Sequence, residues 1–185
     1  IADVNNIDFA RRCSDMKVDG MALICHGAGG HTGNLSPFAF SSYVREFFDG
    51  IIVLAGSIST GSHIKATKLL NADLCYMGTR FISATESNAV DEYKAMVINS
   101  NYNDLRMTNF FTGAQAYYLK DSIIKNNFDP DNLESNPDGF NVSSSQDKIK
   151  AWKDIWSAGQ GVGFIKKIES VESIVKELEA EFLEE

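Results

Sequence analysis

His31 sits inside a glycine-rich segment, Ala28-Gly29-Gly30-His31-Thr32-Gly33, that directly follows an apolar run at 21–25. Imidazole is the side chain that exchanges a proton near neutral pH, and flanking glycines strip steric cover from its ring. Two further apolar runs end in the same way. The run at 51–55 leads into Gly56-Ser57, and the run at 73–76 leads into Met77-Gly78-Thr79. Backbone amides at Gly56, Ser57, Gly78 and Thr79 can converge on one phosphate, with the Ser57 or Thr79 hydroxyl as an extra donor. The chemistry expected of this set is abstraction of a carbon-bound proton, or hydrogen bonding to an anionic substrate, beside a small anionic cofactor.

Other polar and aromatic residues read as secondary. Arg80 has the charge to pair with a phosphate, but its place one residue past Thr79 can turn it the other way. His26 reads as structural and His63, at a helix start, as exposed. Trp152 and Trp156 read as packing at helical spacing. The stretch 159–163 reads equally as another anion loop or as a break between helices.

The elements that must position His31 alternate. Asn5 or Asn6 caps a helix running to about residue 18, and Ser36 with Pro37 opens one over 35–48. Helices are also predicted over 62–71 and 87–99. Strands end near 25, 55 and 77, and the opening residues 1–4 read as the end of another. This rhythm, about 22 to 30 residues per unit, predicts right-handed βαβ crossovers and a parallel α/β sheet. Both an open doubly wound sheet and a (β/α)8 barrel place ligands at the carboxyl ends of such strands. A closed barrel needs around 250 residues, so this chain supplies only about half of one, and its amino-terminal part is expected to be absent. Beyond residue 101 the pattern predicts a short extended piece at 107–111 and a helix over 113–126. A polar surface loop follows over 129–145, then a helix from Ser145 or Asp147 through Trp156, and an amphipathic helix opened by Ser170.

Composition narrows the function. The chain has 185 residues, 44% hydrophobic and 23% charged, with a net charge of -8 concentrated in a glutamate-rich tail read as a solvated helix face. No basic stripe invites nucleic acid, and no apolar stretch approaches the roughly 20 residues that span a bilayer. Three cysteines without CxxC spacing predict neither a disulfide framework nor a metal site, and suit a reducing cytoplasm.

At these residues the chain resembles the nitronate monooxygenase family, once called 2-nitropropane dioxygenases. The matching stretches are AGGHTG at 28–33, LAGSISTG at 54–61, MGTRF at 77–81, ESNAVDEYK at 86–94, Phe111-Thr112-Gly113, and WSAGQGVG at 156–163. The resemblance implies an FMN-dependent (β/α)8 TIM barrel, of which this chain holds the second half, strands five to eight. Residues 1–128 would form its βα units, and 129–185 a polar loop and carboxyl-terminal helices packed on the same domain. It implies His31 as catalytic residue and Gly29, Gly30, Gly56, Ser57, Tyr76, Met77, Gly78 and Thr79 as FMN contacts. The substrates implied are a nitronate and O2, in a cytoplasmic, membrane-free enzyme that can be a homodimer. The family often has Gly at position 57, and many members carry Gln and Glu where this chain has Ile24 and Gly27. The related flavin-dependent enoyl-acyl-carrier-protein reductases share AGGH and the GTRF-like segment. An NAD(P)H-dependent reductase of enoyl thioesters or quinones is therefore the rival enzyme, and a flavin-binding protein without turnover the rival from another class.

Overall fold

The computed structural model describes residues 1–136 and 152–184. Its first part follows the alternation read from the sequence: β1 (Ala2–Val4), α1 (Ile7–Asp15), β2 (Gly20–Ile24), a two-residue β3 (Gly30–His31), α2 (Pro37–Arg45), β4 (Ile51–Ala55), α3 (Gly61–Leu69) and β5 (Leu74–Tyr76). A one-turn α4 (Thr79–Ile82) and α5 (Asp91–Asn99) come next. Then follow β6 (Leu105–Thr108), β7 (Ala116–Leu119), α6 (Lys120–Lys125) and, at the carboxyl end, α7 (Val171–Leu183).

Strands β1, β2, β4 and β5 form a parallel sheet in that spatial order, so each βα unit lies beside the previous one, as in a (β/α)8 barrel. Met21 aligns with Ile52 and Leu23 with Leu54, which places these four side chains on one face, against Phe40 and Val44 of α2 and Ala10 and Cys13 of α1. All four are essentially solvent-free, each contributing about 1.5–3 kcal/mol through burial. The alternate residues Ala22, Val53, Ile24 and Ala55 point to the other face, and Ile24 and Ala55 reach the rim where the glycine turns lie. Register thus sends Met21, Leu23, Ile52 and Leu54 to the helices and Ile24 and Ala55 to the rim.

Caps form where the chemistry predicts them. Asn6 Oδ1 accepts from Phe9 N at 2.8 Å, and Ser36 Oγ from Ala39 N at 3.3 Å ahead of Pro37. The helix stops at Asp15, short of residue 18, and Met16 just past its end is 76% exposed. The third helix starts at Gly61 because Thr60 caps it, accepting from His63 N. The fourth starts at Asp91, since Ser87 Oγ turns back to Ala89 N and holds the preceding residues in a loop.

Two predictions fail. Residues 113–126 are not one helix. β7 pairs antiparallel with β6 and with β3, in a second sheet of order β3-β7-β6, and only Lys120–Lys125 are helical. The run Ala116-Tyr117-Tyr118-Leu119 is wholly buried, and its aromatic, strand-favouring residues gain more from cross-strand packing than from helical periodicity. Nor is there a helix at Trp152–Trp156: residues 152–154 form a turn with Trp152 at φ 73. The start of that helix at Ser145 or Asp147, and most of the polar loop over 129–145, lie outside the described residues.

The carboxyl-terminal helix α7 packs on α3. The acidic tail is only partly a solvated face. Glu169 is buried against Arg80 at 2.8 Å, Glu177 reaches the same guanidinium at 3.3 Å, and Glu181 accepts from Gly61 N at 2.6 Å. No helix among the described residues is long and apolar enough to cross a membrane.

Candidate functional site

A cavity of about 470 Å³ opens at the carboxyl ends of β2, β4 and β5. Its wall takes Gly29 and His31 from the loop after β2, Gly56 and Ser57 from the turn after β4, and Tyr76 to Thr79 from the end of β5. Parallel strands in register deliver three glycine turns to one rim, because the turns follow strand ends that are themselves aligned. Of the site residues expected from sequence, only Gly30 is not on this wall. It sits one position away, in β3, with φ 73.

Each glycine has its own reason. Gly56 adopts φ 133, and a β-carbon there would lie 3.1 Å from both Cys25 Cβ and His26 O. Gly29 passes so close to the 158–159 segment that a β-carbon would sit 2.6 Å from Gly159 N. Gly78 differs: its φ is -89 and no atom of the described residues lies within 4 Å of where a side chain would start. Neither conformation nor protein contact demands glycine there, so the open space beside it belongs to the cavity. Ser57, by contrast, is a non-glycine residue at φ 58, a left-handed conformation that costs a serine about 1 kcal/mol.

His31 is held from two sides. Its Nε2 lies 3.2 Å from Thr112 Oγ1, and its ring meets Trp152 edge-on at 5.1 Å. Burial pushes its pKa below the usual imidazole value, favouring the neutral ring at pH 7. Thr79 Oγ1 accepts from Gly159 N at 2.9 Å and ties the β5 turn to the stretch 159–163. That stretch contains a short 3-10 helix, Gln160–Phe164, and puts Gly159 and Gly161 on the cavity wall. Ser59, 2% exposed, also faces the cavity, and its hydroxyl has no partner among the described residues.

Several residues stand elsewhere than their sequence positions suggested. Arg80 points away from the cavity, into its ion pair with Glu169. His63 is half-buried: its Nδ1 accepts from Ser59 N at 3.2 Å and its ring packs edge-on to Phe164. Trp152 belongs to the His31 surroundings, while Trp156 stacks on Tyr93 at 5.0 Å. His26 is linked to Tyr117, whose hydroxyl lies 3.0 Å from its Nε2. Thr112 and Gln160 lie in stretches that carry the family resemblance but were given no role of their own by sequence, and Tyr117 was not singled out at all. The signal for Tyr117 was the β-type run at 116–119, masked by its assignment to a helix. Cys25 is buried with its thiol pushed up to about 12, which makes it inert. No cluster among the described residues has the ligands to hold a metal ion.

With this geometry in place, likeness to known proteins decides the family. The nitronate monooxygenase family model matches residues 1–181. The chain belongs to that family. It is 29% identical over 171 residues to a probable nitronate monooxygenase of Staphylococcus saprophyticus, covering 81% of this chain and 48% of the relative. A probable nitronate monooxygenase of Staphylococcus aureus is 29% identical over 116 residues, 56% of this chain and 33% of that protein. The chain therefore spans about half the length, or less, of these curated relatives. Among solved structures, nitroalkane oxidase from Streptomyces ansochromogenes superposes with a TM-score of 0.78 at 25% identity, over 97% of this chain and 56% of that one. FabK from Thermotoga maritima superposes with a TM-score of 0.73 at 21% identity, over 97% and 59%, and that likeness concerns the fold. The shared architecture is the TIM barrel, and the four parallel strands seen here are part of it.

Proposed function

We propose that the cavity holds FMN and that the protein carrying this chain oxidises alkyl nitronates with O2. The observation that carries this reading is the convergence of His31 and the turns at Gly56-Ser57 and Gly78-Thr79 on one cavity. The cradle suits the cofactor. Beside Gly78 there is open space that no atom of the described residues claims, and the buried hydroxyl of Ser59 has no partner among those residues. The amides of Gly56, Ser57, Gly78 and Thr79, all on the cavity wall, would hold the phosphate. Gly29, Tyr76 and Met77 would line the remainder of the cofactor, and Gly30 would serve by turning the loop.

When bound, FMN supplies the ring that accepts electrons from the substrate anion and returns them to O2. The residues of this chain supply the rest. A neutral His31 can accept a proton from the carbon beside a nitro group or donate its own N–H to a nitronate oxygen. Thr112 and Trp152 hold its ring while it does so.

The test is nitronate-dependent oxygen uptake by the native protein that contains this chain and by its His31→Ala variant. A loss of about 100-fold is expected, the size typical of a removed general base. Equal activity in the two would rule out the role of His31. Rapid anaerobic bleaching of the flavin by NAD(P)H, without nitronate turnover, would replace this reading with that of a reductase.

A further inference from the structure

Tyr117 grips the loop that carries His31 at two separate points. Its backbone pairs with Gly30 in the β3–β7 ladder, next to the pairing of Ala116 with His31. Its hydroxyl reaches back to the other end of the loop, 3.0 Å from His26 Nε2. Gln160 completes the grip: its Nε2 donates to the Tyr117 hydroxyl at 2.8 Å, and its own backbone N–H donates to Gly27 O at 2.9 Å. With Gln160 donating to it, the phenol has its own proton available for His26 Nε2. One tyrosine and one glutamine thus bind residues 26, 27 and 30 of a six-residue loop.

The loop needs such a restraint. Gly27 and Gly30 both stand in left-handed conformations, φ 89 and φ 73, and glycine moves out of these at little cost. Neither has a side chain with which to anchor itself. Cutting the tie at His26 would free the 26–27 end of the loop, while the His31 end keeps the two-residue β3, the Thr32 N–H to Gln115 O at 3.0 Å and the contacts of the ring with Thr112 and Trp152. The turns at Gly56 and Gly78 follow strands of the parallel sheet and do not depend on this tie.

We propose that Tyr117, supported by Gln160, is a positioning residue that fixes the His31 ring over the cavity. It is not among the residues that line the cavity. This rests on the role given to His31 above. A displacement of about 1 Å at a reacting group is enough to cost turnover, whereas the cofactor's seat lies largely on the other two turns.

The experiment uses the native FMN-loaded protein and its Tyr117→Phe variant, which keeps the ring and the strand pairing and removes only the hydroxyl. A fall in kcat of about tenfold is expected, with KM for the nitronate and FMN affinity within about twofold. In the His31→Ala background the same substitution should change kcat by less than about twofold, because two residues acting through one group are not additive. Gln160→Met, which removes the donor at similar volume, should act in the same direction. It is the second variant should Tyr117→Phe lower the thermal midpoint by itself. Independently of turnover, the His31 ring resonances in the FMN-free protein should shift or broaden in Tyr117→Phe. An unchanged kcat, an equal fall in the His31→Ala background, or unmoved His31 resonances would each overturn the proposal. Full activity of His31→Ala would instead overturn the function given to that residue, and the ring resonances would still decide whether Tyr117 holds it.

Discussion

The hydroxyl of Ser57 occupies the space that a β-carbon on Gly27 would need, with Gln160 Oε1 2.7 Å from the same point. The two residues come from turns after different strands, so the bare backbone at Gly27 is what lets the loop carrying His31 lie against the turn at Gly56-Ser57. Gly27→Ala would suffer twice, from a φ of 89 that alanine resists and from the collision with Ser57. FMN binding, followed by flavin fluorescence during titration, should weaken at least about tenfold in Gly27→Ala, a cost of about 1.4 kcal/mol or more. Adding Ser57→Gly should restore part of it. Ser57→Gly alone should leave stability within about 1 kcal/mol of the parent, since relief of left-handed strain is offset by a more flexible unfolded chain. No rescue in the double variant would show that the two positions do not compete for space.

His31 gives a prediction in pH. Burial lowers its folded-state pKa below the ordinary value of 6.5, so the unfolded chain binds the proton more readily than the folded one. The contribution of this group to stability is therefore fully present above pH 6.5 and declines as pH falls from there through the folded value. For a neutral base, kcat/KM should fall with decreasing pH around a midpoint below 6.5, lower than an unperturbed imidazole would give. An NMR titration of the His31 ring measures the midpoint directly. A midpoint above 6.5 would contradict the burial argument.

Arg80 shows how a neighbour of the site can serve the frame instead. Its guanidinium and Glu169 are both buried, with side-chain exposures of 4% and 7%, and Ser173 and Lys167 add bonds to the same carboxylate. Burial by itself would raise the Glu169 pKa, but the hydrogen bonds from Ser173, Arg80 and Lys167 outweigh it and hold the carboxyl at about 2. Since this lies below the ordinary value of 4.5, the stabilisation is complete above pH 4.5 and is lost as pH falls from 4.5 towards 2. Glu169→Gln should cost about 2–3 kcal/mol at pH 7, because it leaves Arg80 buried with only the half-exposed Glu177 as counter-charge. Denaturant melts at pH 7 and pH 3 should show that cost shrinking in acid. A constant difference would mean that the carboxylate is not the stabilising form.

The parallel half of the fold was legible because its signals are local. Apolar runs of strand length, Asn6 and Ser36 as caps, and Pro37 at a first helical position each act within a few residues. The convergence of Gly29, Gly56 and Gly78 was legible for a related reason: parallel strands in register carry their ends to a common rim. The second sheet was not, because β3 is two residues long and exists only by pairing with β7, more than 80 positions away. No periodicity within 30–31 could announce it. Trp152 and Gln160 reached the site region through long-range contacts of the same kind, and the direction of Arg80 was set by a glutamate 89 residues downstream. Sequence spacing indicates where backbone turns arise, and side chains brought in from afar are decided by packing.

The junction of α3 and α7 supplies a prediction that depends on backbone alone. Gly61, the first residue of α3, lies so close to α7 that a β-carbon would run into Leu178 O and Phe182 N. Both are main-chain atoms and cannot swing aside as a flexible side chain can. The same glycine donates its N–H to Glu181 Oε2 at 2.6 Å, so α7 provides the carboxylate that complements the positive end of α3. Gly61→Ala must push the two helices apart and break that bond, a cost of about 3 kcal/mol from overpacking together with a lost charge-assisted hydrogen bond. Glu181→Gln keeps the contact surface and loses only the charge, and should cost no more than about 1 kcal/mol. Thermal melts of the two variants measure the difference. If Gly61→Ala were as mild as Glu181→Gln, the helices could not be packed as closely as this glycine allows.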